Sequence, residues 1–428
     1  MRKGNIAFFF APFKEMRYEF WIYLTGETIS NLGSSVTIFA LPLLIFRMTG
    51  SAFYLSLATV VNFLPYLLFG LTIGAWVDRL NRKRLMIWVD VANALGIATI
   101  PVLSLLGILP IWWLFVIGFL NSTLSICFDA AEFAAVPGLV DKKQLVTANG
   151  RLQASYSAAT IVGPILAGAL VAIMPIANLL LIDASSFLVS ALALLLIRID
   201  FNSAKKRSGE QNIYQEIREG LLYVWRHPVL RNISLMLLLI NLVGSTRLSQ
   251  LVFLAKNHLH ATDTQVGWLY SAASVGVVIL SLAAGALRRR FRFSVVALGA
   301  LIFSGICTIV LALTTWYWLA LAMWALVAGL SVLFNVNTTS LRQEIVPSHL
   351  LGRVGTTSRV LAWSANPIGA FLGGLLIVWT QNVSFIYTMI GFCVIVIAFL
   401  FSFTAVGHSE RYLPSLAESV VPSGEGKG

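Results

Sequence analysis

Residues 74–84 read Gly-Ala-Trp-Val-Asp-Arg-Leu-Asn-Arg-Lys-Arg, and they join two apolar runs at 53–77 and 85–106. Each run exceeds the roughly 20 apolar residues that a helix needs to cross a bilayer core of about 30 Å. The stretch between them carries Asp78 and four basic residues, and charged side chains are costly to place in lipid. This stretch is therefore predicted to be a short loop at one membrane face, between two membrane-spanning helices.

The same alternation of apolar runs and short polar loops continues along the chain. Of 428 residues, 58% are hydrophobic and only 11% charged, and the mean hydropathy is +0.84. A soluble domain of this length needs more charge to cover its surface. We predict an all-α membrane protein with twelve spanning helices, at 21–46, 53–77, 85–106, 111–136, 152–174 and 179–197, and at 232–254, 266–287, 295–313, 319–340, 357–379 and 385–403.

These helices form two groups of six. The predicted domains are an N-terminal bundle at 1–198, a polar linker at 199–230, a C-terminal bundle at 231–405 and a tail at 406–428. The halves echo each other: Gly74 and its basic loop are matched by Gly285 and a second basic loop, and the Gly-Pro pair at 163–164 is matched by Pro367. Such internal duplication is typical of transporters that move two halves around a central site.

Basic residues are concentrated on one side of the predicted helices. With the N-terminus inside, every Lys and Arg falls in a cytoplasmic segment except Arg47 and Lys256, in loops on the other side, and Arg247, within a helix. An excess of Lys and Arg marks cytoplasmic loops. Both termini are therefore expected on the cytoplasmic side of the plasma membrane. We also expect the protein to be a monomer in the lipid bilayer. The same distribution accounts for the net charge of +12 without a nucleic-acid partner.

The loop at 74–84 resembles the loop signature of the major facilitator superfamily, which reads Gly, three residues, Asp-Arg, one residue, then Gly-Arg-Arg or Gly-Arg-Lys. Asn81 replaces the second Gly and is expected to take the left-handed backbone conformation that Asn tolerates. The resemblance implies two pseudo-symmetric bundles around one cavity that opens to either side in turn. It also implies a cytoplasmic gate, to which we assign Gly74, Asp78, Arg79, Arg82 and Asp90. The alternative to a gate is a basic loop whose charges only fix the orientation of the helices in the membrane.

A second motif, Gly163-Pro164-Ile-Leu-Ala-Gly168, resembles the shortened Gly-Pro motif of exporters and antiporters in that superfamily. Pro164 removes a backbone donor and favours a kink, and the two glycines permit close helix packing. The motif favours export over uptake, although ordinary small-residue packing also explains it.

Longer stretches resemble one branch of the superfamily, which includes macrolide-efflux proteins and the enterobactin exporter. They lie at 128–140 with 148–150, at 183–187, and at 219–221 followed by 227–230. The resemblance implies a bacterial exporter, but its motifs belong to the scaffold and do not carry over a substrate. As substrate we predict a drug, a macrolide-like compound or a siderophore-like metabolite. Many drug:proton antiporters of the superfamily keep an Arg in their fourth helix, but the run at 111–136 has no basic residue.

Ionisable residues inside spans usually face a cavity or a partner. In the N-terminal half, Glu27 and Asn31 are four residues apart and share a helix face with Ser34. Asp129 and Glu132 lie late in the fourth span. We predict that these carboxyl groups couple transport to protons. Alternatively, Glu27 pairs with a neighbouring backbone or basic group at the cytoplasmic rim, and Asp129 and Glu132 make contacts in the intracellular gate.

In the C-terminal half, the candidates are Arg247 and Asn241, on one helix. A cation in a cavity would attract an anionic group of a substrate or balance an acid. The alternative for Arg247 is a side chain that reaches out to the interface. A direct bridge from Arg247 to Glu27 is not expected, because the internal repeat places them nine residues out of register, or roughly 13 Å of helix rise.

Other chemistries find no support in the sequence. Its three cysteines lie in apolar runs, the five histidines have no metal-ligand spacing beyond the weak pair His258 and His260, and there is no phosphate-binding Gly-rich loop. We therefore predict no metal, no cofactor and no enzyme. The predicted function is secondary active export of a hydrophobic or amphipathic small molecule, driven by proton antiport. The alternatives are uptake or lipid movement by the same fold, and a membrane sensor or enzyme.

Overall fold

A computed structural model describes residues 16–77, 80–141, 144–199, 213–346 and 350–408. Within these ranges the chain is almost entirely helical, and the helices are α1 (Tyr18–Thr49), α2 (Ala52–Val77), α3 (Arg82–Leu105), α4 (Ile111–Leu139), α5 (Leu145–Leu170), α6 (Ile176–Leu196), α7 (Ile213–Arg226), α8 (Pro228–Ser249), α9 (Leu251–Asn257), α10 (Asp263–Arg290), α11 (Phe293–Leu313), α12 (Tyr317–Ile345), α13 (Leu351–Thr380) and α14 (Val383–Ser402).

The predicted all-α membrane fold is confirmed. In the described part of the chain, eleven helices contain a stretch long and apolar enough to cross a membrane. The predicted span at 152–174 falls in α5, which is not among these eleven, although its 26 residues extend roughly 39 Å at ~1.5 Å per residue. Its first third carries Asn149, Arg151 and Gln153, which lowers its hydropathy without shortening it.

The described residues fall into two compact units. Unit 1 consists of those within 1–48 and 61–207, and unit 2 of those within 49–60 and 208–428. The first residues of α2 therefore pack with unit 2, where the Ser56 hydroxyl donates to the carbonyl of Ala370 at 2.7 Å. Ser56 is in turn the acceptor for Gln250 Nε2, at 2.7 Å.

Gln250 marks a break that the sequence does not predict. The expected helix at 232–254 is divided, because α8 ends at Ser249 and α9 begins at Leu251. The Gln250 backbone lies at φ −104° and ψ 10°, and its side chain is fully buried. Its amide nitrogen also donates to the carbonyl of Ala52 at 2.8 Å. The point where the helix is interrupted is thus occupied by a buried amide whose nitrogen donates to α2, while its oxygen has no hydrogen-bond partner among the described residues.

Close helix pairs in unit 2 depend on paired glycines. A Cβ on Gly305 of α11 would collide with the carbonyl of Gly391 on α14, and a Cβ on Gly391 would collide with the carbonyl of Gly305. Helices α10 and α12 also approach closely at glycines, because a Cβ on Gly329 would collide with the carbonyl of Gly276, and a Cβ on Gly276 would collide with the carbonyl of Ala325. Small residues let helix backbones approach closely in lipid, where packing replaces the hydrophobic effect as the driving force.

The predicted polar linker contains a helix, α7. Val224 of α7 is 1% exposed and packs against Leu230, Val346 and Val354, from α8, the end of α12 and the start of α13. The linker segment is therefore docked on unit 2 over this length.

The backbone of Asn81 corrects one expectation. Asn81 lies at φ −74° and ψ 107°, an extended conformation, and not in the left-handed region. Its side-chain oxygen accepts from the backbone N–H of Arg84 at 3.0 Å. Asn is suited to this position because it is among the best helix N-caps, and the loop needs no glycine-like residue there.

Candidate functional site

Glu27 and Asn31 of α1 form the hydrogen bond that their spacing indicates. Asn31 Nδ2 donates to Glu27 Oε1 at 3.2 Å. The other carboxyl oxygen, Oε2, is buried and has no hydrogen-bond partner among the described residues. Ser34, expected on the same polar stripe, donates instead to Asp183 at 3.2 Å. Glu27 is thus only partly satisfied by its own helix.

Glu27 belongs to a cluster of acids drawn from three helices of unit 1. It lies within electrostatic range of Asp90 on α3 and of Asp129 and Glu132 on α4. The ion pairs found between described residues join other acids to basic partners. A carboxylate in a low-dielectric site costs free energy unless it is compensated. A proton or a cationic group would supply that compensation here.

Tyr23 connects two helices of this cluster. It lies one helical turn before Glu27, it is 2% exposed, and its hydroxyl donates to Glu132 Oε1 at 2.7 Å. The bond fixes α1 against α4 and occupies one oxygen of Glu132. Among the described residues, the apolar side chains around this point include Phe20, Met86 and Val136.

Asp90 has a different environment from that predicted. It is 1% exposed, accepts a hydrogen bond from the Ser190 hydroxyl of α6 and acts electrostatically on both Tyr23 and Glu27. The structure therefore places this predicted gate residue beside the predicted coupling residues.

Asp129 is the most accessible member of the acid cluster. Its side chain is exposed, and Tyr66 of α2 lies within electrostatic range of both Asp129 and Tyr156 of α5. The two tyrosines are 40% and 50% exposed. Helices α2, α4 and α5 thus present one acid and two amphipathic rings on an accessible face of unit 1.

Asp183 of α6 is a buried acid of another kind. It is 1% exposed and accepts hydrogen bonds from Thr37 at 2.5 Å, Ser34 at 3.2 Å and Ser186 at 3.4 Å. Two of these donors come from α1, so the carboxyl group joins α1 to α6. Because hydroxyl donors satisfy it, Asp183 has the character of a structural residue.

The predicted gate residues are described only in part. Asp78 and Arg79 lie outside the described residues, and Gly74 lies in the last turn of α2. Arg82 is 8% exposed, and its guanidinium donates to the carbonyl of Ala134 on α4 at 3.0 Å. The neighbouring Lys83 donates to the carbonyl of Ile197, the C-cap of α6. Cations at the carbonyl ends of helices are favourable, which suits Lys83 at the end of α6, while Arg82 binds a carbonyl in the second-to-last turn of α4.

The predicted export-motif residues Gly163, Pro164 and Gly168 all lie within α5, which continues through Pro164. A Cβ on Gly163 would collide with the Ser35 side chain of α1. The glycine is therefore required for the close approach of α1 and α5. A comparable contact exists in unit 2, where Gly373 of α13 lies against Thr246 of α8.

The two candidates of unit 2 have mostly neutral partners. Asn241 Nδ2 donates to the carbonyl of Ala362 at 2.8 Å. Arg247 is 8% exposed, which excludes a side chain that reaches an aqueous interface. Its guanidinium donates to Thr308 Oγ1 at 3.2 Å and to Ser304 Oγ at 3.4 Å.

The end of α8 helps to explain how unit 2 tolerates this cation. Arg247 lies two residues before the end of the helix, and its Nε donates to the carbonyl of Gly244 at 3.4 Å. The carbonyl end of a helix carries partial negative charge. The Tyr387 hydroxyl of α14 donates to the Arg247 carbonyl at 2.6 Å, which holds this last turn against the bundle.

Four residues of the site were not predicted from the sequence: Tyr23, Ser190, Tyr66 and Tyr156. Tyr23 could have been found, because it is four residues from Glu27 and therefore lies on the same helix face. The sequence gives no such signal for Ser190, Tyr66 and Tyr156, because these residues belong to other helices than the acids, namely α6, α2 and α5. In the part of the chain that the structure describes, no set of three His, Cys, Asp or Glu side chains is arranged to hold a metal ion.

Comparison with known proteins agrees with this architecture. The family model of the Major Facilitator Superfamily matches residues 24–354. The multidrug efflux pump Tap of Mycolicibacterium fortuitum is 29% identical over 83% of this chain and 88% of that protein. Macrolide efflux protein A of Streptococcus pyogenes is 25% identical over 85% of this chain and 90% of that protein.

A solved structure shows the same fold. The inward-facing, unoccupied structure of a bacterial homologue of the human lysosomal transporter Spinster matches with a TM-score of 0.73. It covers 93% of this chain and 98% of that one, at 15% identity. With two helical units, a membrane-spanning composition and a family model that covers most of its length, the chain is a multi-pass membrane transporter that belongs to the Major Facilitator Superfamily.

Proposed function

We propose that this transporter exports a hydrophobic or amphipathic small molecule from a bacterial cytoplasm in exchange for protons, and that the acid cluster of unit 1 carries the protons. The observation that carries the proposal is the group of acids around Glu27: Asp90, Asp129 and Glu132 all lie within electrostatic range of it, and the ion pairs between described residues involve none of the four. The efflux relatives support the direction of transport.

Glu27 is the strongest candidate for the proton carrier. One of its oxygens is buried without a hydrogen-bond partner among the described residues, so its charged form is poorly stabilised there. Asp183, by contrast, has three hydroxyl donors. Glu132 holds one hydrogen bond, from Tyr23, and Asp129 is accessible. Accessibility thus decreases from Asp129 to Glu27, which supports a path in which a proton reaches Glu27 from the exposed Asp129 through Glu132.

The accessible face of unit 1 supports an amphipathic substrate. Tyr66 and Tyr156 offer apolar rings with polar tips near Asp129, and Phe133 on the same helix as Asp129 is 86% exposed. Rings bind apolar surface, and an acid or a phenol fixes a polar or cationic group. Drugs and macrolide-like or siderophore-like compounds have this combination of surfaces. In this proposal the protein works as a monomer by alternating access, with both termini in the cytoplasm.

The test is accumulation of a fluorescent dye and of a macrolide in bacteria that lack their own pumps. Cells with the wild-type protein should accumulate less of both compounds, and a protonophore should abolish the difference. Glu27→Gln should remove export at equal membrane expression, because the amide cannot exchange a proton.

Glu19→Gln is the matched control, because it makes the same change two turns earlier on α1, outside the cluster, and should pump normally. Normal pumping by Glu27→Gln would move the coupling role to Asp129 or Glu132. Wild-type export that persists with the protonophore would contradict proton antiport.

A further inference from the structure

Helix α7 of the linker has two faces with different environments. Val224 is buried against unit 2, while Leu221, Leu222 and Trp225 are 40%, 44% and 57% exposed. Positions 221, 222 and 225 share one face of a helix. Large apolar side chains grouped on one exposed helix face mark a binding surface.

A groove adjoins this face. Its volume is about 480 Å³, and it is lined by Glu219, Leu222, Tyr223, Arg226, His227 and Leu350. Arg226 is exposed at the end of α7, whereas burial lowers the pKa of His227 and favours its neutral form. Glu219 lies seven residues from Arg226, or ~10 Å along the helix, so it does not neutralise the arginine. The groove thus has a cation at one end and apolar side chains beside it.

The position of α7 relates this groove to the membrane. Only His227 separates α7 from α8, and α8 is one of the membrane-spanning helices. The end of α7 therefore lies at the membrane face of a span. A helix with Trp and Leu on one face and Arg at its margins is typical of helices that lie in the interface between lipid and water.

We propose that the groove binds an anionic phospholipid of the adjoining leaflet. Its phosphate lies at Arg226, its acyl chain follows Leu222 and Leu350, and Trp225 and Leu221 insert beside it. The alternative occupants, a second copy of the chain or another segment of this one, do not account for a cation beside an acyl-sized apolar groove at the membrane face. The linker then acts as a lipid-dependent anchor, independently of the substrate and of the coupling ion.

The test places an environment-sensitive fluorophore at residue 221 of the full chain. Cys127, Cys307 and Cys393 are replaced by Ala, Leu221→Cys is labelled, and the protein is placed in nanodiscs of phosphatidylcholine with or without phosphatidylglycerol. Quenching by a lipid that carries a spin label just below its headgroup is compared with quenching by aqueous iodide. We expect strong quenching by the lipid, which increases with phosphatidylglycerol, and weak quenching by iodide.

Two charge variants separate a headgroup site from general attraction. Arg226→Gln should bind phosphatidylglycerol about fivefold more weakly, while Arg231→Gln, an equal charge change outside the groove, should behave as the parent. Gel filtration checks that each variant is folded. Strong iodide quenching without lipid quenching would overturn the proposal, as would lipid quenching that is indifferent to phosphatidylglycerol and to Arg226.

Discussion

Both units place ionisable side chains within their helix bundles, but acids predominate in unit 1, a cation is buried in unit 2, and the compensation of these charges differs. Unit 1 brings Glu27, Asp90 and Glu132 together, and one oxygen of Glu27 has no hydrogen-bond partner among the described residues. Unit 2 buries Arg247 against hydroxyls and a helix end. A charge fixed by surrounding dipoles is part of the structure, whereas an under-compensated group of acids is able to exchange a proton or a cation.

The acids of unit 2 sharpen this contrast. In its described spans they are Asp263 and Glu344, which lie near helix ends and pair with Lys256 and Arg288. Unit 2 therefore has no counterpart of the acid cluster within the described residues. We infer that coupling resides in unit 1 and that the ionisable residues in the spans of unit 2 are structural.

The largest change in stability is expected at Asp183. Asp183→Leu leaves the hydroxyls of Thr37 and Ser34 without their acceptor inside the α1–α6 contact, which should cost about 3 kcal/mol. The loss of stability should appear as a lower Tm when thermal unfolding is recorded in detergent. Asp183→Asn keeps the shape and an acceptor oxygen, and should lose less. An unchanged Tm in Asp183→Leu would show that these hydrogen bonds do not hold the two helices together.

A smaller change is expected at Arg247. Arg247→Met fills similar space, and the Thr308 hydroxyl already donates to the carbonyl of Ser304 at 2.8 Å. Replacing a buried cation by an apolar side chain should therefore change stability by no more than about 1–2 kcal/mol, with export retained. Tm and dye export are measured together. If export is lost while Tm is unchanged, Arg247 would instead be assigned to binding an anionic group of the substrate.

The smallest change is expected at Tyr23. Tyr23→Phe removes one hydrogen bond, to Glu132, at a cost of about 1 kcal/mol, and should lower the export rate only a few-fold. Tyr18→Phe makes the same change at a residue of α1 that is 76% exposed, and should do nothing. Complete loss of export in Tyr23→Phe would make the tyrosine an obligatory part of the proton path.

The sequence predicted features that depend on local periodicity. The length of the apolar runs defined the spans, and the spacing of Glu27 and Asn31 defined their hydrogen bond. The break at Gln250 was missed. Its side chain is buried against Ser56, which is 194 residues distant, and spacing along α8 does not reveal such a contact. Asn81 was assigned the wrong backbone conformation, because a family pattern suggested a glycine-like role where a helix N-cap is formed.

The composition of the acid cluster needed the tertiary structure. Asp90 and Glu27 are 63 positions apart, and only the packing of α3 in unit 1 brings their carboxyl groups within range. The hydroxyls around Arg247 come from α11, and nothing in the sequence of α8 indicates them. Spacing along one helix locates partners on that helix, but partners across a bundle depend on the relative rotation of each helix.

The most direct test of proton coupling by unit 1 is substrate-driven proton movement in proteoliposomes. The purified protein is reconstituted with a pH indicator inside, a macrolide gradient is applied without a pH gradient, and the internal pH is recorded. The wild type should move protons against the macrolide flux, and Glu27→Gln should bind the macrolide without moving protons. Proton movement by Glu27→Gln at the wild-type rate would contradict the assignment of Glu27, and macrolide flux without proton movement in the wild type would contradict antiport itself.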